Sequence, residues 1–327
     1  MKRRDFVKIS TLTGLGALAV PSMVFSNIND GTIKGLQGKR IGIIGLDTSH
    51  SEVFTRIINN GEVSGGYKVV AAYAQGSPDI PSAVEMRPRI TEAVKKMGVE
   101  IVDSIETLLK KVDCVLLETN DGRPHYEQAL PVLKAGKRMF VDKPVAHNLK
   151  DAERIYAASK KYGTPIFSSS ALRYEQNIVK ATSGAFGKVI GADVYTPAAY
   201  DQHHLDMAWY GIHGVEMLFT LMGTGCVEVI RTHTEDTDIL TGRWNDGRIA
   251  SVRGIQKGAA NIAGTAYCEN NIVPVGPFTT YQPLVQEIVN FFDTGVVPVS
   301  PAETIEIFKF MHAADKSKKS RKFEKLY

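Results

Sequence analysis

The sequence predicts an α/β protein: a doubly wound, mostly parallel sheet over residues 39–165, then an α+β domain with a largely antiparallel sheet over 166–318. Three observations predict it. Up to about residue 165, short apolar runs alternate with segments of helical period, which implies crossover connections and a parallel sheet. Beyond that point the strand-like runs lengthen and are joined by turn signals, the mark of antiparallel pairing with one solvated face. A length of 327 residues, 43% hydrophobic and 23% charged, fits two ordinary globular domains and excludes disorder.

Residues 1–26 read as a leader. Lys2, Arg3, Arg4 and Lys8 precede an apolar stretch over 9–20 that is too short, and too diluted by Ser, Thr and Gly, to span a bilayer. Arg3-Arg4-Asp5-Phe6-Val7-Lys8 resembles the twin-arginine export motif, with cleavage expected near Val24-Phe25-Ser26. Periplasmic delivery follows as an expectation, with no stable membrane span after cleavage. Residues 27–38 form a polar linker.

The apolar run over 40–45, ending in Gly45, opens the first strand, and 51–60 carries Val53, Phe54, Ile57 and Ile58 at helical spacing. Next come a strand over 68–73, a helix over 90–98 and a short strand over 99–102. A helix over 104–111 with Ser104 as N-cap leads into a strand over 113–118. Helices over 125–135 and 149–162, stopped by Gly136 and Gly163, alternate with strands over 138–141 and 165–168. In the second domain strands are expected over 188–195, 226–234, 238–244 and 248–256, the last two joined by Asn245-Asp246-Gly247, a hairpin signal. Helices are expected over 207–222, 281–294 and 301–317, with a basic tail over 319–327. The open face of such a sheet suggests a homo-oligomer.

The net charge of +4 resides at the two ends, leaving an acidic body, which argues against nucleic acid as a partner. Cys114, Cys226 and Cys268 are widely spaced and form neither a disulfide framework nor a zinc pattern.

This order resembles the Gfo/Idh/MocA family, the relatives of glucose–fructose oxidoreductase and inositol 2-dehydrogenase, over nearly all of 39–318. The marks are the run ending in Gly45, Thr119-Asn120 with His125 after the fourth strand, and Ala135-Gly136-Lys137 leading to Asp142-Lys143-Pro144. The family usually has Glu-Lys-Pro at that last point. Arg173, Gly187-Lys188-Val189-Ile190 and Pro301-Ala302-Glu303 also fit. The resemblance implies a Rossmann-type dinucleotide domain, NAD or NADP as cofactor, and a sugar or sugar-derived polyol as substrate of an oxidoreductase.

The phosphate loop departs from the family. G-x-G-x-x-G falls on Gly45-Leu46-Asp47-Thr48-Ser49-His50, so only the first glycine survives. Asp47 brings a negative charge where a diphosphate would lie; it could instead cap the helix while Thr48 and Ser49 bind phosphate at its N-terminus. The acidic residue expected at the end of the second strand is replaced by Ala74-Gln75, so NADP is not disfavoured against NAD. Cofactor contacts are expected from this loop, including His50, and from Thr119, Asn120, His125, Asp142 and Lys143.

By the same resemblance Lys143 and His213 are the catalytic pair. Lys143 lies at a strand end, where ligands of open α/β sheets bind, and a partly desolvated ammonium can polarise a carbonyl or release a proton. His213 would accept the proton of a sugar hydroxyl. The Asp that the family places four residues earlier is Trp209 here, so the imidazole loses its usual partner. Arg173, His204 and Tyr210 are the expected substrate contacts. His203, His204, His213 and Glu216 could share a metal, but none is assigned, because sugar-hydroxyl binding is the reading preferred for them. Two alternatives stay open: a lyase or glycoside-cleaving enzyme that uses NAD without net redox change, and a sugar-binding protein on a degenerate fold.

Overall fold

The computed structural model describes residues 39–327; the leader and linker expected over 1–38 lie outside the described residues. The first sheet contains β1 (Arg40–Ile44), β2 (Lys68–Tyr73), β3 (Glu100–Val102), β4 (Cys114–Leu117), β5 (Met139–Val141) and β6 (Ile166–Phe167). All its pairings are parallel, in the order β3-β2-β1-β4-β5-β6. The chain winds outward from β1 in one direction and from β4 in the other, so the switch point falls between β1 and β4. Helices α1 (Ser49–Asn59), α2 (Pro81–Lys96), α3 (Ile105–Lys111), α4 (His125–Lys134) and α5 (Leu149–Tyr162) form the crossovers. Ile41, Ile43 and Ile44 are wholly buried, as strands covered on both faces require.

Local signals work where they are strong. Ser104 caps α3 by accepting the Thr107 N–H, and Gly163, at φ 62°, ends α5 in the left-handed conformation. The helix expected over 90–98 begins earlier, at Pro81. Proline suits that first helical turn, and Pro88, on the helix's more exposed part, is tolerated within it.

After a 3₁₀ turn (Ala171–Tyr174) and α6 (Gln176–Thr182), both absent from the sequence reading, the second sheet forms. It contains β7 (Val189–Pro197), β8 (Cys226–His233), β9 (Thr237–Trp244), β10 (Ile249–Ile255), β11 (Ala263–Cys268), β12 (Ile272–Val275) and β13 (Glu324–Lys325). The order is β12-β11-β7-β10-β9-β8-β13, antiparallel except for β7 with β10. Gly247, at φ 88°, closes the β9–β10 hairpin. Helices α7 (Ile212–Met222) and α9 (Pro301–Ser320) cover one face, and α8 (Gln282–Thr294) packs on the first domain's core. The other face leaves Ile190, Tyr195 and Ile249 exposed. Two expectations need correction. The stretch over 319–327 is not a free basic tail, because α9 runs to Ser320 and β13 extends the sheet. The helix expected from residue 207 starts at Ile212; residues 206–211 form turns instead, with Gly211 packed on Met207. Among the described residues no helix is long and apolar enough to cross a membrane.

Candidate active site

The site forms at the carboxyl ends of β1, β4 and β5. Gly45, at φ 89°, lies directly on Thr119, and a Cβ there would overlap that residue's side chain and backbone. Thr48, not Asp47, caps α1, its hydroxyl accepting the His50 N–H at 3.4 Å; Ser49 is exposed beside it. Asp47 turns inward and is wholly buried. One carboxylate oxygen accepts the Ser77 N–H at 2.6 Å and the other the Asn120 N–H at 3.0 Å, spanning the loops after β2 and β4. Any side chain at Gly76 would collide with it. The expected capping role of Asp47 is therefore corrected. Burial pushes its pKa up, against the pull of those two amides.

His50 points under the loop. Its Nδ1 lies 2.7 Å from Asp142 Oδ2 and its Nε2 lies 3.1 Å from Tyr281 Oη, with the ring stacked on Phe54. The other oxygen of Asp142 accepts the N–H of Lys143 at 2.8 Å. Burial alone would raise Asp142; His50 and Lys143 override it and hold the carboxyl low. Lys143 is itself buried at the mouth of this cluster.

His213 enters from the first turn of α7. Its Nδ1 lies 2.8 Å from Ser170 Oγ. Burial, then the charges of Lys143 and His50, push its pKa well below the usual histidine range, so the imidazole is neutral near pH 7. Trp209 is not on the helix; its ring lies against His204, 4.9 Å between centroids, so the expected four-residue spacing to His213 does not apply. Ser170 supplies the orienting contact instead. Its N–H also donates to Glu216 at 2.7 Å, and burial pushes that carboxyl up to about 7.

The charge of Lys143 reaches His213, while four other candidates are committed elsewhere. Arg173 pairs with Glu303 at 2.7 Å and Glu216 at 3.7 Å, a buried cation facing carboxylates rather than a substrate. His204 lies with Nδ1 2.7 Å from Asp201 and accepts the Gly122 N–H on Nε2 at 3.1 Å, which ties the loop after β4 to the second domain. It does not meet His213, so the metal grouping considered for the two does not form. His125 is wholly buried between the carbonyls of Val145 and Thr119, at 3.1 and 2.7 Å. The Thr119 hydroxyl donates to Gln128 at 2.8 Å. These two tie the loops after β4 and β5 to α4. Tyr210 stands half exposed.

The sequence reading missed Glu118, Ser170 and Tyr281. Glu118 had a signal: it is a charged residue closing the apolar run of β4. Ser170 and Tyr281 carried none, since only the fold brings them beside His213 and His50.

These residues fit a dinucleotide, given one rearrangement. Gly45 allows close backbone approach beside the N-terminus of α1, and the amides of Ser77 and Asn120 already hold an anion, the Asp47 carboxylate, as they would hold a phosphate or ribose oxygen. In this structure those two amides are taken by Asp47.

Residues 39–169 match the family GFO_IDH_MocA, described as an oxidoreductase family with an NAD-binding Rossmann fold. The oxidoreductase YceM of Salmonella typhimurium is 33% identical over 124 residues, 37% of this chain and 36% of that protein. Inositol 2-dehydrogenase 3 of Saccharopolyspora erythraea is 24% identical over 230 residues, 64% of each chain. The chain thus spans between about a third and just under two thirds of the length of these curated relatives. The scyllo-inositol dehydrogenase of Lactobacillus casei, solved with NAD(H) and scyllo-inositol, has the same fold at a TM-score of 0.70 and 14% identity, covering 88% of this chain and 98% of that one. Over residues 39–169 the chain is therefore similar to the NAD-binding Rossmann fold of the Gfo/Idh/MocA oxidoreductases.

Proposed function

We propose that the protein is an NAD(P)-dependent oxidoreductase acting on a polyol or sugar. The observation that carries this reading is the convergence of Lys143 and a neutral His213 at the carboxyl end of β5, beside the dinucleotide track. Gly45, the first turn of α1, Asn120 and Lys143 would hold the cofactor, which when bound supplies a two-electron acceptor for hydride. His213 Nε2 takes the hydroxyl proton of the substrate, while Ser170 fixes the ring through Nδ1. The Lys143 ammonium stabilises the alkoxide that develops on that oxygen. Asp142 anchors the lysine's backbone and so aims it. Incubating the purified chain with NAD or NADP and a panel of cyclitols, alditols and aldoses tests this through the absorbance of reduced nicotinamide. Turnover with at least one polyol or sugar is expected, and His213→Ala should abolish most of it; release of a cleaved product without net reduction would favour the lyase reading.

The leader supports export by the twin-arginine route to the periplasm. Replacing Arg3 and Arg4 with lysine should retain the protein in the cytoplasm, and unchanged delivery would contradict that route.

A further inference from the structure

We propose that His50, Glu118 and Asp142 form a binding site for a divalent first-row transition cation. The three residues come from separate elements, the first turn of α1 and the ends of β4 and β5. Each offers one ligand atom, and the three atoms lie within 4.8 Å of one another. Ligand atoms around a tetrahedral zinc stand about 3.4 Å apart, from metal–ligand bonds of about 2.1 Å, so side-chain adjustment alone closes the gap.

Glu118 points to the ligand independently. Its side chain is wholly buried at the end of an apolar strand, yet neither carboxylate oxygen has a hydrogen-bond partner. Buried polar atoms are almost always satisfied; the charge of Lys143 reaches Glu118 but gives it no hydrogen bond, and a carboxylate with both oxygens orphaned is a costly arrangement. The hydrogen-bonding of His50 agrees. The Nδ1–H of His50 donates to Asp142 at 2.7 Å while Tyr281 Oη stands 3.1 Å from Nε2, so a cation bound between Nδ1 and the two carboxylates would take the place of that shared proton. Tyr281 then serves as the outer partner that fixes the ring, as metal-bound histidines require.

One imidazole nitrogen and two carboxylates, with no thiolate, suit Zn²⁺, Mn²⁺ or Fe²⁺ rather than Cu⁺, and the imidazole disfavours Mg²⁺ and Ca²⁺. Three protein ligands leave a coordination position open, the arrangement kept by sites that bind a further molecule. The proposal stands on this cluster and does not depend on dinucleotide binding.

The full chain, stripped with a chelator and passed through a desalting column, should be titrated separately with Zn²⁺, Mn²⁺ and Mg²⁺. Bound metal is read by mass spectrometry and the thermal midpoint by calorimetry. Stoichiometric Zn²⁺ or Mn²⁺ is expected, with a midpoint raised by roughly 5 °C at about a hundredfold excess over Kd, and little response to Mg²⁺. Glu118→Gln and His50→Asn should each weaken binding by about a hundredfold or more, since changes to outer partners alone cost 10–100-fold. His203→Ala, outside the cluster, should leave binding unchanged. Stoichiometric metal retained in either cluster variant would place the ion elsewhere and overturn the assignment. Should a variant fail to fold, the wild-type titration decides alone: no saturable Zn²⁺ or Mn²⁺ binding means that Glu118 is simply a buried protonated acid, and the proposal fails.

Discussion

Lys143→Met is expected to lower turnover by about a hundredfold or more, the range in which a positioned proton donor or charge-stabilising group contributes. Methionine keeps most of the side-chain volume, so the loss isolates the ammonium. The residue sits where β5 ends and its backbone N–H is held by a buried carboxylate, so the chain around it is fixed before substrate arrives. Because Lys143 is also a proposed cofactor contact, cofactor affinity should fall as well, whereas His213→Ala should spare it. Steady-state kinetics with separate titrations of cofactor and substrate would make that division visible. Turnover unchanged in Lys143→Met would remove the residue from the chemistry.

The largest effect on stability is expected at a residue far from this cluster. The Arg231 side chain is 0% exposed and binds three carboxylates: Asp238 through Nε at 2.7 Å, Asp315 through Nη1 at 2.7 Å and Asp206 through Nη2 at 2.8 Å. Nη2 also donates to Tyr200 Oη at 2.8 Å. One guanidinium thus joins β8, β9, α9 and the loop that carries His204. Arg231→Met takes the guanidinium from buried Asp238, which keeps only Tyr200, His233 and Gln256, and breaking such a buried pair costs about 3–5 kcal/mol. The urea midpoint should fall accordingly, and the loop contact from His204 to Gly122 should loosen with it.

The same cluster sets a pH dependence. Burial alone would raise Asp238, but hydrogen bonds from Arg231 and Tyr200 hold its pKa below the ordinary 3.8. A carboxylate depressed in the folded state contributes stability above its unfolded pKa and loses it as pH falls through the folded value. Wild-type stability should therefore drop in the acid range below about pH 4, and Arg231→Met should flatten that drop.

The parallel half was legible because its signals are local. The strand over Lys68–Tyr73 and the helix over Leu149–Tyr162 fall where apolar period and a terminal glycine put them. β11 and β12 were not, because Gly264, Thr265 and Pro274 break the apolar alternation that marks a strand; pairing to β7 supplies what propensity does not. In the candidate site the same division holds. Lys143 and His213 could be placed by motif, each on the right kind of element. The destination of Asp47 could not, since it depends on two amides 30 and 73 residues away. Arg173 and His204 looked like cleft residues because charge and imidazole are common there, yet each finds carboxylate or backbone partners that only the fold assembles.

The central claim is that the carboxyl ends of β1, β4 and β5 hold a nicotinamide dinucleotide once Asp47 leaves the Ser77 and Asn120 amides. The most direct measurement is the thermal midpoint of the wild type and of Asp47→Gly with and without millimolar NAD(H) or NADP(H), alongside mass spectrometry of small molecules released on denaturation. At about a hundredfold excess over Kd a ligand stabilises by about 2.7 kcal/mol, so binding is readily seen. The account predicts a shift in the wild type and a larger one in Asp47→Gly, where the competing carboxylate is gone. No released nucleotide and no shift in either protein would contradict it.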